Sequence, residues 1–353
     1  MSVSGTAKRL DERVHTLDGL RGVAACLVAL YHFSHPLAPA GYIAVDLFFI
    51  MSGYVIAQAY TVRLERGLGA PDFLRMRLLR LYPLYAVGLV LGLVVTTLLG
   101  LLPLKQTLAS LAANSLMLPA PLLHGGYLYP FNPASWSLFF ELVINLAFAL
   151  WMFKARSWTL TLIMLAAAIV MVPIAPGHYN LNVGFRILPE QIIGATARVC
   201  FSFSAGILVY RWQQGRVRTG SWLAVVLLLL TVAVLMLSVP TSCQAGRDLL
   251  LVLIVSPLLV IVGVRIDPPA SLLPVFRYLG DISYALYAVH MAVVNAWLLW
   301  RPGDDHTAAS SIIAYLLLII VLATGLEHFF DKPVRLYLAR RRRIATSAIP
   351  QSV

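Results

Sequence analysis

Apolar residues gather into ten runs of membrane-spanning length, at about 17–37, 42–60, 81–102, 136–153, 157–175, 196–211, 221–238, 248–264, 279–300 and 311–331. Each run is close to the 20 or so residues that carry a helix through a bilayer core, and short polar breaks separate them. The pattern predicts an all-α, polytopic membrane protein with about ten transmembrane helices. Two stretches bend the rule. Residues 104–118 are apolar but under spanning length and carry Lys105, Gln106 and Asn114, which reads as a short re-entrant or interfacial helix. Only Lys154-Ala155-Arg156-Ser157 separates the fourth and fifth runs, a tight turn between antiparallel helices.

Polar residues inside the runs mark where chemistry can occur. The first run holds Arg21 and His32, eleven helical steps apart, or three turns plus about 20°, so both lie on one face about 16 Å apart. An ionisable group in such a run turns toward a polar interior or a partner, so the pair is expected to line one cavity. A salt bridge from Arg21 to Asp18, three residues earlier, is the alternative.

Composition and charge then orient the chain. With 60% apolar and 12% charged residues the sequence is not that of a soluble domain. The net charge of +12 does not point to nucleic acid, because 21 of the 27 basic residues fall on one side of the alternating runs and only Lys105, Arg186, Arg247 and Arg301 on the other. That asymmetry puts both termini in the cytoplasm. Three cysteines, Cys26, Cys200 and Cys243, suit neither a disulfide framework nor a Cys/His metal site, and no metal is expected. The first run lacks a small-residue cleavage site and is expected to be retained. The expected organisation is a cytoplasmic segment at 1–16, one membrane domain at 17–331 and a basic cytoplasmic tail at 332–353.

With helix directions assigned, His32, Asp46 and Glu141 come out level in the outer third of the membrane. A carboxylate beside an imidazole can hold its tautomer while it removes a proton from a hydroxyl. For Asp46 and Glu141 the alternative is an ion pair between helices, Arg198 being an available partner, and for His32 an interfacial hydrogen bond. The loop between the second and third runs carries Arg75, Arg77 and Arg80; the last two are three apart, a spacing able to grip phosphate, although an inner loop is arginine-rich on topological grounds anyway. The outer stretch from His124 to Pro133 offers aromatic faces, and Tyr127, Trp136 and Ser137 are the candidates for saccharide contact; an interfacial aromatic belt is the alternative.

Four blocks in order, Leu17-Asp18-Gly19-Leu20-Arg21-Gly22 with the Arg21-to-His32 spacing, Val45 to Tyr54, Arg77-Leu78-Leu79-Arg80 and Ser135 to Glu141, resemble the acyltransferase 3 family. The resemblance continues through Tyr278 to His290 and ends at Glu327 to Arg335, where Asp331-Lys332-Pro333 departs mildly from the family's pattern. It implies a membrane O-acyltransferase of the bacterial inner membrane that moves an acyl group, acetyl above all, from cytoplasmic acyl-CoA to a hydroxyl of an envelope or exported saccharide or glycolipid. On this reading His32, Glu141 and Asp46 are catalytic, and Arg21, Arg77 and Arg80 hold the acetyl-CoA or other acyl-CoA donor. Two other classes remain in view: a transporter or flippase for a polar envelope precursor, for which paired half-helix breaks are missing from the pattern, and a non-catalytic scaffold.

Overall fold

The computed structural model describes residues 13–120, 126–178, 180–214 and 218–338. Among them every expected run is a helix. α1 is His15–Phe33, α2 Gly41–Glu65, α3 Ala70–Leu98, α4 Leu104–Ser115, α5 Pro133–Met152, α6 Ser157–Gly177, α7 Pro189–Gln213, α8 Leu223–Met236, α9 Thr241–Gly263, α10 Ala270–Trp300 and α11 Ala309–Leu338. Eight of these are long and apolar enough to cross a membrane; α1, which carries Asp18 and Arg21, and the 14-residue α8 complete the ten expected runs. α4 is the short helix that the 104–118 stretch predicts. The protein is an all-α polytopic membrane protein, and among the described residues strands are limited to a two-residue parallel pairing of Thr219–Gly220 with Ile266–Asp267.

Packing follows from where small residues fall. α1 lies along α10, and α2 along α7, which also backs α6. At the α2–α7 crossing a Cβ on Gly53 would strike the carbonyl of Phe203, so the two backbones touch at a point where no larger residue fits. Large apolar side chains cover the outside: Val94 and Leu98 of α3, Ile169 of α6, and Leu317 and Val321 of α11 are exposed. Such a surface suits hydrocarbon, and exposed Trp158, Trp222 and Trp300 at helix ends fit the interfacial aromatic positions.

Helix boundaries differ from the apolar runs in two places that matter. α3 starts at Ala70, eleven residues before its apolar run, so Arg75, Arg77 and Arg80 are helical and not in a loop. Leu, Met and Arg all favour helix, so the helix continues past the point where the hydrophobic signal stops; 29 residues span about 43 Å, more than the bilayer core. α11 likewise runs on to Leu338 through a π-helical turn at Glu327–Asp331, seven residues past the end of its apolar run. Lys8, Arg9, Arg216, His124, Gly125 and the Arg340–Arg343 cluster lie outside the described residues.

Candidate active site

A cavity of about 410 Å³ lies between α1, α2, α3, α5, α10 and α11. Five arginines line it, Arg13, Arg21, Arg77, Arg80 and Arg335, with four acids, Asp18, Glu141, Asp281 and Glu327. Arg13 reaches Asp18 at 2.5 Å and Asp281 at 2.6 Å. Arg77 Nη2 donates to Glu141 Oε1 at 2.7 Å, and Ser52 Oγ donates to the same oxygen at 3.0 Å. Arg335 pairs with Glu327 at 2.5 Å and with Asp331 at 2.7 Å; Arg80 lies 3.3 Å from Asp331 and stacks over Tyr284. Arg21 forms the expected salt bridge to Asp18, at 3.7 Å and shared with Arg13, and donates to two neutral oxygens at shorter range, Ser283 Oγ at 2.9 Å and Gly280 O at 2.8 Å.

Phosphate fits this set of residues. A guanidinium has five N–H groups, and the contacts above use one or two on each arginine. The Arg77 Nε is buried and has no hydrogen-bond partner. Donors left over in a cavity wall are what an anionic ligand needs. Among the described residues no group of three or more His, Cys, Asp or Glu side chains is placed to hold a metal ion.

Arg21 and His32 both face α10, as their shared helix face requires, but Arg21 lines the cavity and His32 is not among its lining residues. The His32 ring stacks on His290 with centroids 5.1 Å apart, and His290 contacts the ring of Tyr287, which does line the cavity. His32 therefore stands one ring layer beyond the far end of the cavity. Ser283, Tyr284, Tyr287 and His290 form a polar stripe of helical period on α10, the signal in the sequence that connects Arg21 to His32.

Glu141 is not level with Asp46. It meets α2 at Ser52, six residues or about 9 Å further along the helix than Asp46. The reason is the loop before α5, which dips into the bundle: Phe131 and Asn132 are buried, Asn132 Nδ2 donates to Ala288 O inside α10, and the Phe131 carbonyl lies against Gly92, where a Cβ would collide with it. α5 thus starts below the surface, and Glu141 sinks to the depth of Arg77. Asp46 forms an interhelical ion pair with Arg198. It is fully buried, and Arg198 holds both of its oxygens, at 2.5 Å and 3.2 Å for the closest contact to each.

The aromatic candidates separate. Trp136 is buried with Arg198 over its ring, so the face expected for a sugar is covered. Ser137 lines the arginine cavity. Tyr127 is exposed in the segment that precedes α5, with Arg186 stacked on it. Sequence reasoning did not single out Ser52, Tyr284 or Tyr287, which also line the cavity.

A family model, described as an acyltransferase domain, matches residues 14–328, nearly the whole helical bundle. The chain belongs to the acyltransferase 3 family. As a member of that family it is an enzyme, which sets aside the transporter and scaffold readings. It is similar to "Protein 2 in picA locus" of Rhizobium radiobacter, 38% identical over 45% of this chain and 93% of that protein. The acyltransferase MdmB of Streptomyces mycarofaciens is 25% identical over 96% of both chains. The exopolysaccharide production protein ExoZ of Rhizobium meliloti is 25% identical over 84% of this chain and 90% of its own. No solved structure matches the chain.

Proposed function

We propose that this acyltransferase 3 protein O-acetylates a saccharide of the bacterial envelope or of an exported glycan, drawing acetyl from cytoplasmic acetyl-CoA across the inner membrane. The observation that carries the reading is the convergence of Arg21, Arg77, Arg80 and Arg335 at one end of a cavity whose other end stops one ring short of His32. The basic loops on the arginine side of the bundle support a cytoplasmic face there.

In this scheme Arg77, Arg80 and Arg21 hold the donor's phosphates, and the thioester arm runs outward along α10. His32 takes the proton of the acceptor hydroxyl as its oxygen attacks the thioester carbonyl. The C–S bond then breaks, the thiolate leaves with the proton from His32, and the saccharide keeps the new ester. Glu141, fixed by Ser52 and Arg77, offsets positive charge at the arginine end of the cavity; Asp46 acts at a distance by holding α2 against α7. Tyr127 and its Arg186 neighbour offer a face to the acceptor on the outer loop. The name of ExoZ supports a polysaccharide acceptor.

Mass spectrometry of envelope glycans from cells with and without the gene tests the reaction: an acetyl-sized mass that disappears with the gene, and that a gene copy encoding His32→Ala does not restore, is the expected result. An unchanged glycan profile overturns the saccharide acceptor. For orientation, a reporter active only outside the cytoplasm should be silent when fused after Arg218 and active after Arg301; the reverse pattern overturns the cytoplasmic donor route.

A further inference from the structure

At the far end of the cavity three oxygens form a closed triangle. Ser137 Oγ lies 2.6 Å from Tyr287 Oη, and these two hydroxyls lie 3.1 Å and 2.9 Å from the carbonyl oxygen of Ala134. Both side chains line the cavity. A carbonyl only accepts, and each hydroxyl brings a single hydrogen. Two hydroxyl oxygens at 2.6 Å need one hydrogen between them. The second hydrogen goes to the Ala134 carbonyl. Whichever hydroxyl plays which part, both hydrogens are consumed inside the triangle, and unused lone pairs remain on both oxygens, two on the hydroxyl that donates to the other and one on the hydroxyl that accepts from it. The pair can accept a hydrogen bond from a ligand and has none to donate.

The next polar group outward has the same character. His290 Nδ1 lies 2.7 Å from the Tyr287 carbonyl, so that nitrogen carries the hydrogen, and in the neutral ring Nε2 is an acceptor, buried and without a partner. Along α10 these acceptors have definite places. Gly280, whose carbonyl receives Arg21, precedes Tyr287 by seven residues, about 10 Å, and His290 by ten, about 15 Å. The acceptor pair stands between the arginine end and the His32–His290 rings, about two-thirds of the way.

A ligand that lies here must present a hydrogen-bond donor, because a desolvated polar group without a complementary partner is costly. The pantetheine arm of an acyl-CoA carries two secondary amides between its phosphates and its sulfur, and each N–H is such a donor. We propose that Ser137 and Tyr287 form a subsite that accepts a hydrogen bond from one amide N–H of the donor's pantetheine arm, a reading that rests on the acyl-CoA donor proposed above. Ser137 then belongs to donor recognition and not to the saccharide.

The test compares coenzyme A with two analogues, each carrying an ester oxygen in place of one amide N–H, by calorimetry on the purified full-length protein in lipid nanodiscs. The expected result is that one analogue binds about tenfold more weakly than coenzyme A and the other within about threefold of it, and that Ser137→Ala and Tyr287→Phe each shrink the tenfold preference to about threefold or less. The wild-type comparison needs no variant, so a variant that fails to fold leaves the test standing. Equal binding of all three ligands by the wild type overturns the subsite and leaves the donor reading intact, as does a preference that survives both substitutions. Failure of the wild type to bind coenzyme A at all overturns the donor reading, and the subsite with it.

Discussion

Arg198 and Arg77 both lie inside the bundle and both pair with a carboxylate from another helix, yet their surroundings differ in kind. Arg198 is 1% exposed and its donors are used up: Nε and Nη2 go to Asp46, Nη1 to the carbonyls of Leu181 and Val183, and Nη2 also to the carbonyl of Tyr42. Nearby, the Tyr42 hydroxyl donates to Asp248, which also pairs with Arg247 and accepts from Leu181 N. This cluster ties α2, α7, α9 and the 180–188 segment together, with Asp46, Arg198 and Asp248 fully buried. Arg77, by contrast, makes one strong contact, keeps a buried Nε without a partner, and faces a cavity with its side chain 15% exposed. A satisfied, dry ion pair fixes geometry, whereas a half-satisfied one beside a cavity is equipped to bind.

The sharpest way to break this comparison is to remove one partner from each pair. Arg198→Ala strands the buried Asp46 charge and is expected to cost about 3–5 kcal/mol of stability, seen as loss of folded protein in membranes and a large drop in thermal midpoint in detergent. Combining Asp46→Leu with Arg198→Met should recover most of that stability. If Arg198→Ala is as stable as the wild type, the structural role assigned to this pair is wrong.

His32→Ala should leave stability near that of the wild type while acetyl transfer falls about 10²- to 10⁴-fold, the usual loss for a deleted general base. Transfer rate and membrane abundance, measured on the same preparation, separate the two effects. Activity near the wild-type rate removes His32 from the chemistry.

The double variant Arg77→Ala with Arg80→Ala should weaken coenzyme A binding by one or more orders of magnitude, since charge-assisted contacts contribute about 1.5–3 kcal/mol each. Lys at either position should rescue only in part, because it restores charge without the planar fork. Calorimetry showing wild-type affinity in the double variant would reduce these arginines to an orientation signal.

The smallest effect is expected at Tyr127, whose ring contacts are Phe185 and Arg186 and neither ion pair. Tyr127→Ala should raise KM for the saccharide about two- to tenfold, in line with aromatic contacts of about 0.5–1.5 kcal/mol, with coenzyme A affinity unchanged. An unchanged KM returns Tyr127 to the interfacial belt.

Much of this was legible in the residues. The ten apolar runs each became a helix, the marginal 104–118 stretch became the short α4, and the shared face of Arg21 and His32 meets one partner helix. Less legible was depth. Residue counting from the end of an apolar run assumes that every helix starts at the surface, and α5 does not, because the buried Phe131 and Asn132 draw its first turn inward. Counting also stops a helix where hydrophobicity stops, which left Arg77 and Arg80 in a loop although helix propensity carries α3 through them.

The sequence by itself determined the fold class, the number and order of helices and the face on which each polar residue lies, because hydrophobic length and the 3.6-residue period are local properties of the chain. Which carboxylate meets which arginine was decided only in the tertiary structure. Asp46, Glu141, Arg77 and Arg198 are polar residues in or beside apolar runs, and nothing local separates them; helix tilt, a sunken loop and the close α2–α7 crossing at Gly53 bring Asp46 to Arg198 and Glu141 to Arg77. Pairing is a long-range geometric outcome, and it makes one cluster a brace and leaves the other open to a ligand.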